Sequence, residues 1–246
     1  FLLLSSFLIL SISLLIYFEK IKSNQISLPK NITNSFLTED KKNCFDLDYA
    51  HIKEKTDWYC EVGKTNVPIT FAIIGDSHAL SLKPGFHDAA SEVYQRGVFT
   101  GFSGCPALLN IYSIRPNRNI RNCKLLNEKL YRFIKKNEIK KVFLVSRWTY
   151  YTDGNYDKTN FSHISKSEEF FSNKNNSRAA FVFGLSETIK KYNNLGVEVV
   201  IVHQVPFQVF GPKYIYYKSF NKINAVIDSD KLTYSTECEL QKTYVF

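Results

Sequence analysis

Apolar and polar residues along this chain follow two rhythms, and the two alternate. Four short runs are apolar on nearly every position: Val67–Ile74, Gly97–Phe102, Lys141–Val145 and Val197–Val202. Runs of this length predict strands buried on both faces. Between them, Ala79–Gln95, Ile120–Asn137 and Ala179–Asn194 carry apolar residues at helical spacing, and Leu195-Gly196 after the third is a helix stop. Strands that alternate with helices imply parallel strands joined by crossovers. The predicted fold class is therefore α/β, a three-layer sandwich around a parallel sheet. Residues 149–176, rich in Asn, Ser, Tyr and Lys, read as a long surface loop bordering a substrate cleft.

The first residues follow neither rhythm. Residues 1–18 carry no charge, end in the aromatic pair Tyr17-Phe18 and are closed by Glu19-Lys20-Ile21-Lys22. This is just enough to cross a bilayer core, which takes about 18–20 apolar residues. A secretory signal peptide is the rival, but no small-residue cleavage site follows. The expected organisation is a transmembrane helix over 1–18, a polar linker over 19–43 and an α/β domain over 44–246. Lys20 and Lys22 alone would argue for a cytoplasmic exit; the cysteines argue for the opposite side.

The cysteines are Cys44, Cys60, Cys105, Cys123 and Cys238. None forms a C-x-x-C pair, so no structural zinc site is expected. Cys44 and Cys60 flank a short polar segment, and Cys105 and Cys123 flank a loop. Both pairs read as local disulfide staples in an oxidising compartment. Cys238 is left over, and its partner is expected beyond Phe246. The net charge of +9 is spread over scattered lysines and arginines, including Lys53, Lys83, Arg96, Arg115, Arg118 and Arg121. That pattern suits a solvated basic surface, or a preference for anionic polymers such as lipopolysaccharide. No nucleic-acid motif with aromatic platforms occurs, so nucleic acid is set aside as a partner.

In open parallel sheets, sites form beyond the carboxyl ends of the strands. Four such ends can be read off here: Gly75-Asp76-Ser77-His78, Ser103-Gly104-Cys105-Pro106, Ser146-Arg147-Trp148 and His203-Gln204-Val205-Pro206. All carry residues suited to a site. Ser77 stands where a strand turns sharply into a helix, and the unpaired N–H groups of a helix start favour negative charge. A serine that attacks an acyl group needs that setting, because its reaction passes through an oxyanion. Asp76 is expected to orient the turn rather than to act as a base. Plainer roles stand beside these: Ser77 as a helix N-cap, His78 and His203 as structural histidines, Trp148 as core packing, Gly104 as a tight-turn residue.

The ordered set Gly-Asp-Ser-His, Ser-Gly-Cys-Pro, a strand ending in Arg-Trp and one ending in Val-Pro resembles the SGNH domain fused to membrane O-acyltransferases. The resemblance covers about residues 44 to 246. It implies an SGNH-hydrolase-like domain outside the bacterial cytoplasm, tied to an upstream integral-membrane acyltransferase domain, with helix 1–18 as the last span of that domain. The implied activity is transfer of an acyl group, usually acetyl, to a surface polysaccharide, without metal or soluble cofactor. By the same resemblance Ser77 is the nucleophile, Ser103 and Gly104 form the second block, and Trp148 stands where the family usually has an asparagine, offering an indole N–H to the oxyanion. The family's catalytic Asp-x-x-His does not occur after Val202. The domain is therefore expected to be incomplete at its C-terminus, with the general base beyond residue 246. The rival readings are a tethered or secreted glycan esterase, and a non-catalytic glycan-binding remnant.

Overall fold

The computed structural model describes residues 44–114, 119–154, 162–168 and 173–204, together with helical positions 11, 13–15, 17 and 18. The two sets fall in separate compact units, and each is described by itself. The linker over 19–43, Arg115, Arg118 and Cys238 lie outside the described residues.

The larger unit runs α1 (Tyr49–Glu54), β1 (Cys60–Gly63), β2 (Ile69–Gly75), α2 (Ser77–Glu92), β3 (Arg96–Gly101), β4 (Tyr112–Ile114), α3 (Arg121–Lys136), β5 (Lys141–Val145), a 3₁₀ turn (Trp148–Tyr151), β6 (His163–Ser165), α4 (Lys174–Asn193) and β7 (Glu198–Val202). The main sheet has the order β1-β3-β2-β5-β7. Its four apolar strands are parallel, as their uninterrupted hydrophobicity predicts. The sheet as a whole is mixed, because the short edge strand β1 runs antiparallel to β3. Alternate strand residues serve opposite layers. Phe71, Ile73 and Phe99 join Ala79, Leu80 and Ala90 of α2 on one face. Ala72, Ile74, Val98, Val142 and Leu144 pack against α1, α3 and α4 on the other.

Two consequences of this winding position the site. The chain leaves β2 by a helix on one face and leaves β5 by a helix on the other. Such a reversal opens a crevice at the carboxyl ends of the two strands. The register also places Gly101, Gly75, Val145 and Val202 on one row across the sheet, so the four strand tips end level. At Gly75 the row is too tight for a side chain: a Cβ there would lie 1.5 Å from the Val145 carbonyl oxygen.

Where it is described, the stretch 149–176 is not the surface loop its polarity suggests. Thr149, Tyr151, Thr152, Asp153, Ser162 and Ile164 are buried, β6 pairs with β4 in a second small sheet, and α4 begins at Lys174. The polar residues are inside because each has a fixed partner. Asp153, for instance, is ion-paired with Lys174 at 3.0 Å and with Arg178. Both predicted staples form, Cys44–Cys60 and Cys105–Cys123. Among the described residues no helix is long and apolar enough to cross a membrane. Of the expected span 1–18, the described positions are helical, with Leu14, Leu15, Tyr17 and Phe18 exposed.

Candidate functional site

The turn after β2 is built around one buried carboxylate. Asp76 caps α2: its Oδ1 accepts the His78 backbone N–H at 2.9 Å. Its Oδ2 accepts the Arg147 N–H at 2.8 Å and the Tyr151 hydroxyl at 2.7 Å. Burial disfavours the charged form and holds the carboxyl above its ordinary value, against the nearby His78 and these three donors. Asp76 thus joins the start of α2 to the segment after β5, the two sides of the crevice.

Ser77 is the first residue of α2 and is exposed. Its carbonyl accepts the Ser81 hydroxyl at 3.0 Å. An exposed hydroxyl at N1 stands at the positive end of the α2 dipole, which is chemically suited to a transient anion; the next amides, those of His78, Ala79 and Leu80, already donate to Asp76.

The segment after β5 is laced to the other strand tips. The Ser146 hydroxyl, fully buried, accepts the Ala107 N–H at 3.1 Å and so holds the loop after β3. The Trp148 indole N–H donates to the Val202 carbonyl at 2.8 Å, and the ring is buried against Phe181. To serve an oxyanion, this N–H would first have to leave β7. The Thr149 N–H donates to Gln204 Oε1 at 3.0 Å, and Gln204 Nε2 donates to Thr149 Oγ1 at 2.9 Å.

The loop after β3 is held from its far side as well. The Ser103 N–H and hydroxyl both donate to the Asp46 carboxylate, at 2.6 and 2.8 Å. Gly104 is buried and turns through φ +66°, the left-handed region that suits glycine. Its carbonyl accepts the Ser113 and Ser162 hydroxyls. The Cys105–Cys123 bridge ties this loop to α3, and the Asn127 amide nitrogen donates to the Pro106 carbonyl at 3.1 Å.

His78 and His203 face a common cavity of about 220 Å³, between the first turns of α2 (with Ser81 and Leu82) and the ends of β5 and β7. The structure therefore brings the described parts of the four sequence-read strand ends together; Val205 and Pro206 lie outside the described residues. Tyr151 and Asp46 carried no sequence signal for a site. Tyr151 lies in a tyrosine-rich stretch and Asp46 in the approach to α1, each far along the chain from its partner. Among the described residues no group of His, Cys, Asp or Glu is placed to hold a metal ion.

A sheet with a serine-bearing turn at its central switch point, flanked by three further polar strand ends, defines an SGNH-type domain, and residues 43–241 match the family described as SGNH domain (fused to AT3 domains). The chain belongs to that family. Among solved structures it is similar to the periplasmic domain of a lipopolysaccharide acetyltransferase from Salmonella ser. Paratyphi A, at 14% identity and TM-score 0.50, covering 82% of this chain and 68% of that one. No curated protein matches the sequence.

Proposed function

We propose that this chain is the extracytoplasmic domain of a membrane-tied O-acyltransferase that passes an acyl group to a hydroxyl of a surface glycan, with Ser77 as nucleophile. The observation that carries the reading is the placement of Ser77: exposed, first in α2, on the middle of the level row of strand tips. The family's fusion to AT3 domains supports a membrane acyltransferase partner domain, and the acetyltransferase fold neighbour supports a polysaccharide acceptor. The two disulfides suit an oxidising, extracytoplasmic setting. The exposed apolar side chains at Leu14, Leu15, Tyr17 and Phe18 suit a helix in contact with lipid.

In the proposed reaction the Ser77 oxygen bonds to the acyl carbon, the carbon's bond to the donor's leaving group breaks, and the serine proton is passed to a base. A sugar hydroxyl then attacks the same carbon, its proton is removed, and Ser77 is released. Charge on the carbonyl oxygen is met by the Ser77 amide and the positive end of the α2 dipole, with Gly104 at the neighbouring tip. Among the described residues, His78 and His203 are imidazoles facing the cavity by the first turns of α2.

Ser77→Ala in the full-length protein, followed by mass analysis of the host's surface glycan, tests this. Loss of the acyl group with the protein present in normal amount is expected; unchanged acylation would end the nucleophile assignment. Acyl release from an acylated glycan by the wild-type chain would point to an esterase instead.

A further inference from the structure

We infer that the cavity beside Ser77 is an acyl slot, built for a chain longer than acetyl. The inference rests on the reading of Ser77 as nucleophile. Position is the first argument. His78 follows Ser77 directly and Ser81 lies one turn below it, hydrogen-bonded to its carbonyl, and both line the cavity. Residues four apart on a helix share a face, so an acyl group on Ser77 has the cavity within reach.

The second argument is chemistry. The cavity's apolar side belongs to the layer under α2: Val145 is a core residue there, and Leu82 packs against that core. Two of its potential hydrogen-bonding walls are already engaged elsewhere. The Ser146 hydroxyl holds the Ala107 N–H, and the Gln204 carboxamide holds Thr149. The other polar groups lining it are few: the Ser146 O–H and the imidazoles of His78 and His203, with the Ser81 hydroxyl spent on the Ser77 carbonyl. A hydrocarbon chain needs none of them.

Size is the third. At about 220 Å³ the cavity has room for several water-sized groups, each filling ~30 Å³, whereas an acetyl group adds only three heavy atoms. The end of β7 lies two strands from β2, about 10 Å across the sheet. A chain of about four to six carbons on Ser77 would cross toward His203 along the cavity's apolar side. Burial of each added methylene favours the longer acyl group about fourfold, so butyryl, two methylenes longer, should be preferred over acetyl by about fifteenfold.

The test is acylation of the purified full-length protein by p-nitrophenyl acetate, butyrate and hexanoate, with the adduct on Ser77 quantified by peptide mass mapping. Each ester transfers its acyl group to the Ser77 oxygen, releases p-nitrophenolate and loses the serine proton to buffer. A rate on Ser77 that rises from acetate to butyrate by about fifteenfold is expected, relative to each ester's reaction with a free serine peptide. Leu82→Trp, which fills the cavity, should reduce that ratio by at least about fivefold. Faster acetate than butyrate, or equal rates, would overturn the slot and leave Ser77 as nucleophile. No adduct on Ser77 from any ester would overturn the nucleophile reading and the slot with it. Should Leu82→Trp fail to fold, the wild-type series decides alone.

Discussion

Replacing Tyr151 with phenylalanine removes one oxygen atom and, with it, one of three donors to the buried Asp76 carboxyl. The hydroxyl lies 2.7 Å from Oδ2, and both groups are buried. A hydrogen bond to a charged group contributes about 1.5–3 kcal/mol, so Tyr151→Phe should cost about 2 kcal/mol, or about 6 °C in a domain of this size. The cost should also depend on pH. Burial holds the Asp76 carboxyl above its ordinary value, and the Tyr151 hydroxyl opposes that by bonding the ionised form. Between the unfolded value of about 3.9 and the raised native value, the native state holds a proton that the unfolded chain has lost. Stability contributed by this group therefore falls as pH rises through that window, and levels off above it. Without the hydroxyl the native value rises further and the window extends upward. The gap between variant and wild type should thus be smallest in acid, where both carboxyls are protonated, and widest above the window. Urea unfolding followed by the fluorescence of Trp58 and Trp148, from about pH 4 to about pH 8, reads both quantities. A loss under about 0.5 kcal/mol, or a loss equal at every pH, would show that Tyr151 does not hold Asp76.

Gly75→Ala should prevent native folding or cost more than about 4 kcal/mol, because its Cβ would lie 1.5 Å from the Val145 carbonyl oxygen. An alanine variant that melts within a few degrees of wild type would contradict the close approach of β2 and β5. Trp148→Phe leaves the Val202 carbonyl without its indole donor and should cost about 1–3 kcal/mol in denaturant unfolding. An unchanged midpoint would mean that the indole is not engaged by β7.

Much of the fold could be read from the chain, for a simple physical reason. The runs in β2, β3 and β5 are largely buried on both faces, so their apolar character is continuous and survives without any knowledge of neighbours; β7, at the edge of the described sheet, is only half-buried but carries the same run. The edge strand β1 and the small strands β4 and β6 escaped notice because each is short and half-buried, with no period long enough to register. The stretch after β5 misled for a different reason. Thr149, Asp153 and Ser162 look like loop residues until their partners are known, and those partners, Gln204, Arg178 and Gly104, are 25 to 58 positions away. The disulfides were readable because each closes a short local loop. In the site, the strand-end residues could be named from the sequence, but not the bonds among them. Nothing in the sequence pairs Tyr151 with Asp76, because the register of β2 against β5 decides that contact.

The ties from Ser146 to Ala107, Arg147 to Asp76, Trp148 to Val202 and Thr149 to Gln204 run from four consecutive residues to three different tips of the sheet. A rim sewn together in this way is a mould cast before any guest arrives. Little ordering is left to be done on contact, so discrimination would rest on fit rather than on closure. By the same token, a change at one tip would be felt at its neighbours, and substitutions here should act together rather than one by one.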